Sequence, residues 1–215
     1  MASSQRRTVN ALLADYGLTF ADELKIRIES NTPSPLFRLL CASLLFSTRI
    51  SAKIATAAAR ALAEQGWTTP EKMAAATWAE RTRVLNRSGY ARYDESTSRM
   101  LGETAELLLD RYGGDLRRLR DAAQRDPARE RQLLMEFKGI GNVGVDIFFR
   151  EVQGVWEELY PFADRKALLG AEQLGLPGDA GELAGLIPRA DYPRLLAALI
   201  RVQLAHKQEA VLAEA

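Results

Sequence analysis

Along almost the whole chain hydrophobic residues recur at helical spacing, and only one short stretch alternates as a β-strand would. That stretch is Leu24-Lys25-Ile26-Arg27-Ile28, and it has no obvious partner strand. An unpaired strand leaves its backbone donors and acceptors unsatisfied, so the expectation is an all-α chain of about ten helices joined by short turns. The punctuation agrees. Pro35 opens a segment with Leu39, Leu40, Ser43, Leu44 and Ser47 on one side, and Ser51 to Gln65 is rich in alanine. Thr69-Pro70 reads as an N-cap followed by proline at the first helical position. Thr77 with Glu80, and Asp179 with Glu182, have capping-box spacing. Arg92 to Tyr112 is a long amphipathic stretch stopped by Gly113-Gly114. Asp191-Tyr192-Pro193 opens a last helix running towards His206, and the tail after Lys207 reads as its fraying end.

Composition narrows the function classes. The chain has 215 residues, 47% hydrophobic and 27% charged, enough for one sizeable core or two small ones. Lys plus Arg number 29 against 28 Asp plus Glu, a net charge of +1, so any nucleic-acid surface must be a local patch. With Cys41 its one cysteine, the chain cannot form an intramolecular disulfide, an all-cysteine zinc site or an all-cysteine iron–sulfur cluster. His206 is its one histidine, which excludes multi-histidine metal centres and argues against a histidine triad. Nothing approaches the ~20 apolar residues that a bilayer span needs. The segment Met1 to Arg7 lacks a secretory signal's apolar stretch. The expected setting is therefore the cytoplasm, without membrane contact.

The most informative window is Arg131 to Arg150. An apolar helix ending at Phe137 meets Gly139-Ile140-Gly141, and a second apolar helix starts near Asn142. Two glycines around one aliphatic residue permit a tight reversal and leave backbone amides unobstructed. The second helix's first amides lack internal partners and carry the positive end of its dipole, which suits a phosphate oxyanion. Gly144, one turn in, lets the helices approach closely. An ordinary helical corner with a glycine cap explains a bare Gly-x-Gly equally well. No strand precedes the glycines and no Gly-Lys-Ser/Thr follows, which excludes a Rossmann turn and a P-loop.

Phe137-Lys138-Gly139-Ile140-Gly141, with Gly144 behind it, resembles the helix–hairpin–helix motif of endonuclease III-type DNA glycosylases. Tyr160-Pro161-Phe162-Ala163-Asp164-Arg165 resembles that superfamily's segment ending in its catalytic aspartate. Leu39 to Arg49 resembles the early helix whose end contacts DNA, and Gly89-Tyr90-Ala91-Arg92-Tyr93 resembles the glycine-led stretch before the next long helix. The matches fall in family order from about Leu36 to Gly175.

The resemblance implies an all-α, two-lobed helix–hairpin–helix DNA glycosylase fold with a cleft between the lobes. The central domain would span 34–149, with the hairpin at about 129–149, and 1–33 with 150–215 would form the second lobe. It implies a monomer acting on double-stranded DNA with a lesion or abasic site, nucleoid-associated in a prokaryote. The target base would be flipped out and its glycosidic bond broken. Asp164 would be the catalytic carboxylate, stabilising positive charge on the sugar and activating water. Read without the resemblance, Asp164 is the N-cap of the helix beginning Arg165-Lys166-Ala167. DNA contacts would come from Lys138, Gly139, Ile140, Gly141, Asn142, Gly144, Arg49 and Arg92. Ser47, Arg49, Tyr90 and Tyr93 would line the base pocket or wedge into the stack.

Three departures qualify this. Val143 stands where bifunctional relatives carry a lysine, so the expected enzyme is monofunctional, with Lys138 and, more remotely, Lys166 as substitute amines. Four cluster cysteines are missing, so no [4Fe–4S] cluster or other cofactor is expected. Leu195, Leu196, Leu199 and Val202 should pack that lobe instead, and Cys41 should be a buried structural thiol. Arg49 replaces a frequent glutamine. The resemblance also leaves room for a monovalent cation on the hairpin's backbone carbonyls. Arg81, Arg83, Arg87, Arg92 and Arg99 cluster near Tyr90 and Tyr93 as a candidate phosphate-contacting patch, although a solvated helix face explains them too. The alternatives are a non-catalytic helix–hairpin–helix protein that recognises damaged or distorted DNA, and a helical protein–protein module.

Overall fold

The structure is a computed structural model that describes residues 3 to 214. It is all-helical: fourteen α-helices and three short 3₁₀ turns, with no strand among the described residues. In chain order the helices are α1 (Ser3–Tyr16), α2 (Phe20–Glu23), α3 (Pro33–Ser47), α4 (Ala52–Glu64), α5 (Pro70–Ala75), α6 (Trp78–Arg87) and α7 (Asp94–Tyr112). Then come α8 (Leu116–Ala122), α9 (Pro127–Leu134), α10 (Asn142–Val152), α11 (Arg165–Gln173), α12 (Ala180–Ala184), α13 (Tyr192–Ala205) and α14 (Gln208–Glu214). The chain divides into two compact units, one of residues 24–148 and one made from the chain up to Glu23 and from Phe149 onward.

Within 24–148, α3 packs on α4 and α8, and α7 packs on α5, α6 and α8. Leu36, Phe37, Leu40, Leu44, Leu85, Leu101, Leu108 and Leu119 are buried together with Phe137 and Phe148. Local capping sets the helix starts. Thr77 Oγ1 accepts from the Glu80 amide at 3.2 Å while Glu80 Oε2 accepts from the Thr77 amide at 2.8 Å, the reciprocal pair that its spacing predicts. Thr69 accepts from the Lys72 amide and Asp126 from the Arg129 amide. Helix α3 begins at Pro33, two residues before Pro35, because Thr32 is extended and Pro33 occupies the first turn. The Leu24–Ile28 alternation ends in a 3₁₀ turn at Ile28–Ser30 and forms no strand. Ile26 and Ile28 are buried there without a ladder. Cys41 is a buried free thiol, and burial pushes it up to about 12, opposed by Arg38.

In the other unit α13 packs against α1 and α11, and α1 against α14. Leu195, Leu196, Leu199 and Val202 are all 0% exposed, as is Trp156. The tail is a separate helix rather than the frayed end of α13. His206 takes a left-handed conformation (φ 53°) that stops α13, and α14 follows. The N-terminal segment is fastened from far along the chain: Glu151 accepts hydrogen bonds from the Phe20 amide at 3.2 Å and the Ala21 amide at 3.0 Å. Burial pushes the Glu151 carboxyl up; the Ala21 amide, Arg150 and the Phe20 amide oppose that, and Asp22 adds to it.

A raised folded-state value means that the native chain holds this proton more tightly than the unfolded chain. The resulting stability is fully present below the ordinary value of 4.5 and is lost as pH rises through the raised one. Relative to Glu151→Gln, which does not titrate, the wild type should lose stability as pH rises from that value to neutrality. Urea midpoints for both proteins across the window check this. A gap that stays constant with pH contradicts it.

Candidate functional site

The hairpin is built around one buried side chain. Helix α9 ends at Leu134, three residues earlier than the apolar pattern suggests, and a turn leads to Gly139 at φ +86°. A Cβ at Gly139 would stand 2.6 Å from Met100 Sδ and 3.5 Å from Leu44 Cδ1, so the backbone here lies close against α7 and α3. Ile140 is 4% exposed, and its amide donates to Phe137 O at 3.0 Å. At Gly144 a Cβ would be 3.4 Å from Ile140 Cδ1 and 3.8 Å from Ser43 O, so α10 nests on the Ile140 plug and on α3. Arg131 clamps the two arms, donating to Asp146 Oδ1 at 2.7 Å and to Asn142 Oδ1 at 3.4 Å.

What this leaves outside is a helix start with open amides. The first internal bond of α10 is from the Val145 amide to Gly141 O at 3.0 Å, and the amides of Asn142, Val143 and Gly144 have no partner among the described residues. Lys138, Gly141 and Asn142 are exposed, and a Cβ at Gly141 would meet nothing within 4 Å. Such an end attracts an anion. Val143 is 58% exposed.

The same packing brings other sequence candidates alongside. Tyr90 O–H donates to Leu45 O at 3.0 Å and so ties the turn before α7 to the end of α3. Arg49 is exposed just beyond α3, and Ser47 is half-buried with its hydroxyl donating to Leu44 O at 2.8 Å. Arg92 is exposed and stacks on half-buried Tyr93 at 5.4 Å.

Some of the expected contacts do not stand. Tyr90 is 0% exposed with its hydroxyl bonded, and burial raises its phenol, so it is a core residue and neither wedge nor pocket lining. The Ile140 side chain is buried and shapes the hairpin rather than touching a ligand, and buried Gly144 has only its backbone amide to offer one. Arg81 leaves the proposed arginine patch: it is 7% exposed and donates to the carbonyls of Met73, Ala76 and Ser98.

The carboxylate lies in the other unit and is gripped by the end of α10. Asp164 caps α11, its Oδ1 accepting from the Lys166 amide at 2.9 Å and the Ala167 amide at 3.1 Å. Its Oδ2 lies 2.9 Å from Arg150 Nε, an ion pair whose N–H does not point along the hydrogen-bond axis. Both residues are 8% exposed, and Oδ2 is fully enclosed. Gln153 holds the approach: its Oε1 accepts from the Phe162 amide at 3.0 Å, and its Nε2 donates to Phe162 O and Arg150 O, both at 3.1 Å. Phe149 meets Phe162 edge-on at 5.4 Å. Lys166 follows on the first turn of α11; partial burial and the Arg150 guanidinium draw its ammonium below the ordinary value, against Asp164. Sequence reasoning missed Arg150 and Gln153. The available signal was the polar set Arg150, Glu151 and Gln153 at the end of the largely apolar run that begins at Val145.

No protein-family model matches the chain, and no curated protein sequence does. Among solved structures, a trapped covalent intermediate of endonuclease III with DNA, an estranged-adenine complex, is similar at 18% identity and a TM-score of 0.49. The match covers 78% of this chain and 73% of that one.

Two pairs of substitutions check the geometry by chemical denaturation. Gly139→Ala should cost roughly 1–3 kcal/mol, because an L-residue is strained at that φ, whereas Gly141→Ala should cost less than about 1 kcal/mol. Asp164→Ala, which strands a buried guanidinium, should cost about 3–5 kcal/mol, and Asp164→Asn, which keeps a capping oxygen, should cost less.

Proposed function

We propose that the protein is a DNA-repair N-glycosylase that removes a damaged or mismatched base from double-stranded DNA, with water as nucleophile and Asp164 as the catalytic carboxylate. The observation that carries the reading is the open end of α10: free amides, an unobstructed Gly141 and exposed Lys138 around a buried Ile140 plug. That surface accepts a phosphate oxygen at a helix start and reads no base, as backbone docking requires. Arg49, Arg92 and Tyr93, on elements packed beside the hairpin, would continue the contact along the strand and towards the flipped nucleotide. The reaction class comes from the resemblance of Tyr160 to Arg165 to the family's aspartate segment. As the glycosidic bond lengthens the sugar gains positive charge, which an ionised carboxylate stabilises while water supplies the hydroxyl group.

Val143 cannot form a Schiff base, so strand cleavage is not part of the proposal. The cluster that such relatives hold does not fit this chain, because Cys41 is its one thiol and is buried among leucines. A monovalent cation on the hairpin carbonyls enters no step. One observation favours the alternative, a non-catalytic binder of damaged or distorted DNA: both Asp164 oxygens are engaged and Oδ2 is enclosed.

The test has two readouts. A duplex carrying a tetrahydrofuran abasic analogue should bind more tightly than undamaged duplex, and Gly141→Ala should weaken that binding about tenfold, or ~1.4 kcal/mol. Single-turnover base release from a panel of lesion-bearing duplexes should fall about 10²–10⁴-fold in Asp164→Asn. Damage-selective binding without release by the wild type identifies the non-catalytic binder; the absence of both rejects a DNA role.

A further inference from the structure

Asp164 differs from the chain's other aspartate caps in one respect. Asp126 and Asp179 are exposed and cap α9 and α12 through one and two amides, with no ion pair among the described residues, and Asp115 caps α8 through one amide and pairs with Arg117, whose side chain is exposed. Capping alone therefore does not call for a buried arginine. Arg150 is nevertheless placed beside the Asp164 carboxylate, desolvated, with Nη1 lacking a hydrogen-bond partner. Burying a guanidinium that is incompletely satisfied is unfavourable, so its retention needs a cause beyond helix capping. The cap bonds hold Oδ1 only. Oδ2 is enclosed and lies 2.9 Å from Arg150 Nε, a charge contact without a hydrogen bond, so the guanidinium backs the carboxylate from its inner side.

We infer that Arg150 is a positioning residue, holding the Asp164 carboxylate from behind in the orientation in which it meets a cationic sugar. The assignment rests on the glycosylase reading above and adds to it a residue that acts through Asp164 rather than on the nucleotide. Gln153, just past the end of α10, supports the arrangement by fixing Phe162, two residues before the acid. Lys166 and Glu151 are the other charged groups close to the guanidinium, and neither bonds Oδ2.

A pair of synthetic duplexes tests this without knowledge of the excised base. One carries a pyrrolidine abasic analogue, cationic like the sugar in the transition state, and the other the neutral tetrahydrofuran analogue. The wild type should prefer the cationic analogue by about tenfold or more, and Asp164→Asn should abolish the preference. Arg150→Met should reduce it to about threefold or less while tetrahydrofuran-duplex binding is unchanged, and Arg150→Lys should restore most of it. If Arg150→Met does not fold, Arg150→Gln, which keeps N–H donors without the charge, carries the same expectation. A folded Arg150→Met or Arg150→Gln that keeps or increases the wild-type preference overturns the assignment and leaves the glycosylase reading standing. A wild type that favours neither analogue over undamaged duplex overturns both.

Discussion

A carboxylate withdrawn from water is stable only if its charge is met by donors or a counter-charge, and Asp164 depends on both. Two amides from the start of α11 hold one oxygen and the Arg150 guanidinium faces the other. Everything around the acid serves that arrangement. Gln153 ties down the Phe162 backbone and Phe149 packs on its ring, so the segment that presents Asp164 is held at Phe162 through its amide, its carbonyl and its ring. The pair is a structural element in its own right, because removing one partner leaves the other buried and uncompensated. A catalytic role would reuse a group already fixed by folding, which is how preorganised sites avoid reorganisation during reaction.

The hairpin works by a different economy, exclusion rather than attraction. Ile140 fills the space between the arms, Gly144 lets α10 settle on it, and Gly139 takes a conformation closed to other residues. Arg131 is consumed in bracing Asn142 and Asp146 and so offers little charge of its own. The result is a surface whose positive character comes from backbone amides and a helix dipole, which suits a chain with a net charge of only +1. Binding of this sort recognises backbone geometry rather than sequence.

Local chemistry was legible in the sequence, and long-range burial was not. The Thr77–Glu80 box, the Thr69 cap, the Asp179 cap and the Gly113 stop are each decided within four residues and stand where their patterns put them. The all-α class followed from periodicity. The end of α13 was misread because a histidine, not a glycine, takes the left-handed cap, so the tail looked continuous with it. Tyr90 and Arg81 read as nucleic-acid contacts because aromatic and cationic residues after a turn look alike whether exposed or buried. Only their bonds to Leu45, Met73, Ala76 and Ser98 separate the two cases. The Arg150–Asp164 pair was hidden for a related reason: the partners belong to different helices with an intervening segment, and no spacing rule joins them.

Under the proposed function, the unpaired amides at the start of α10 hold a nucleic-acid backbone. Backbone amide NMR during titration with an abasic-analogue duplex addresses it residue by residue. Saturable shifts at Gly141, Asn142, Val143 and Gly144, lost at high salt together with binding, are the predicted result. A duplex that binds while those four amides stay unmoved would contradict it.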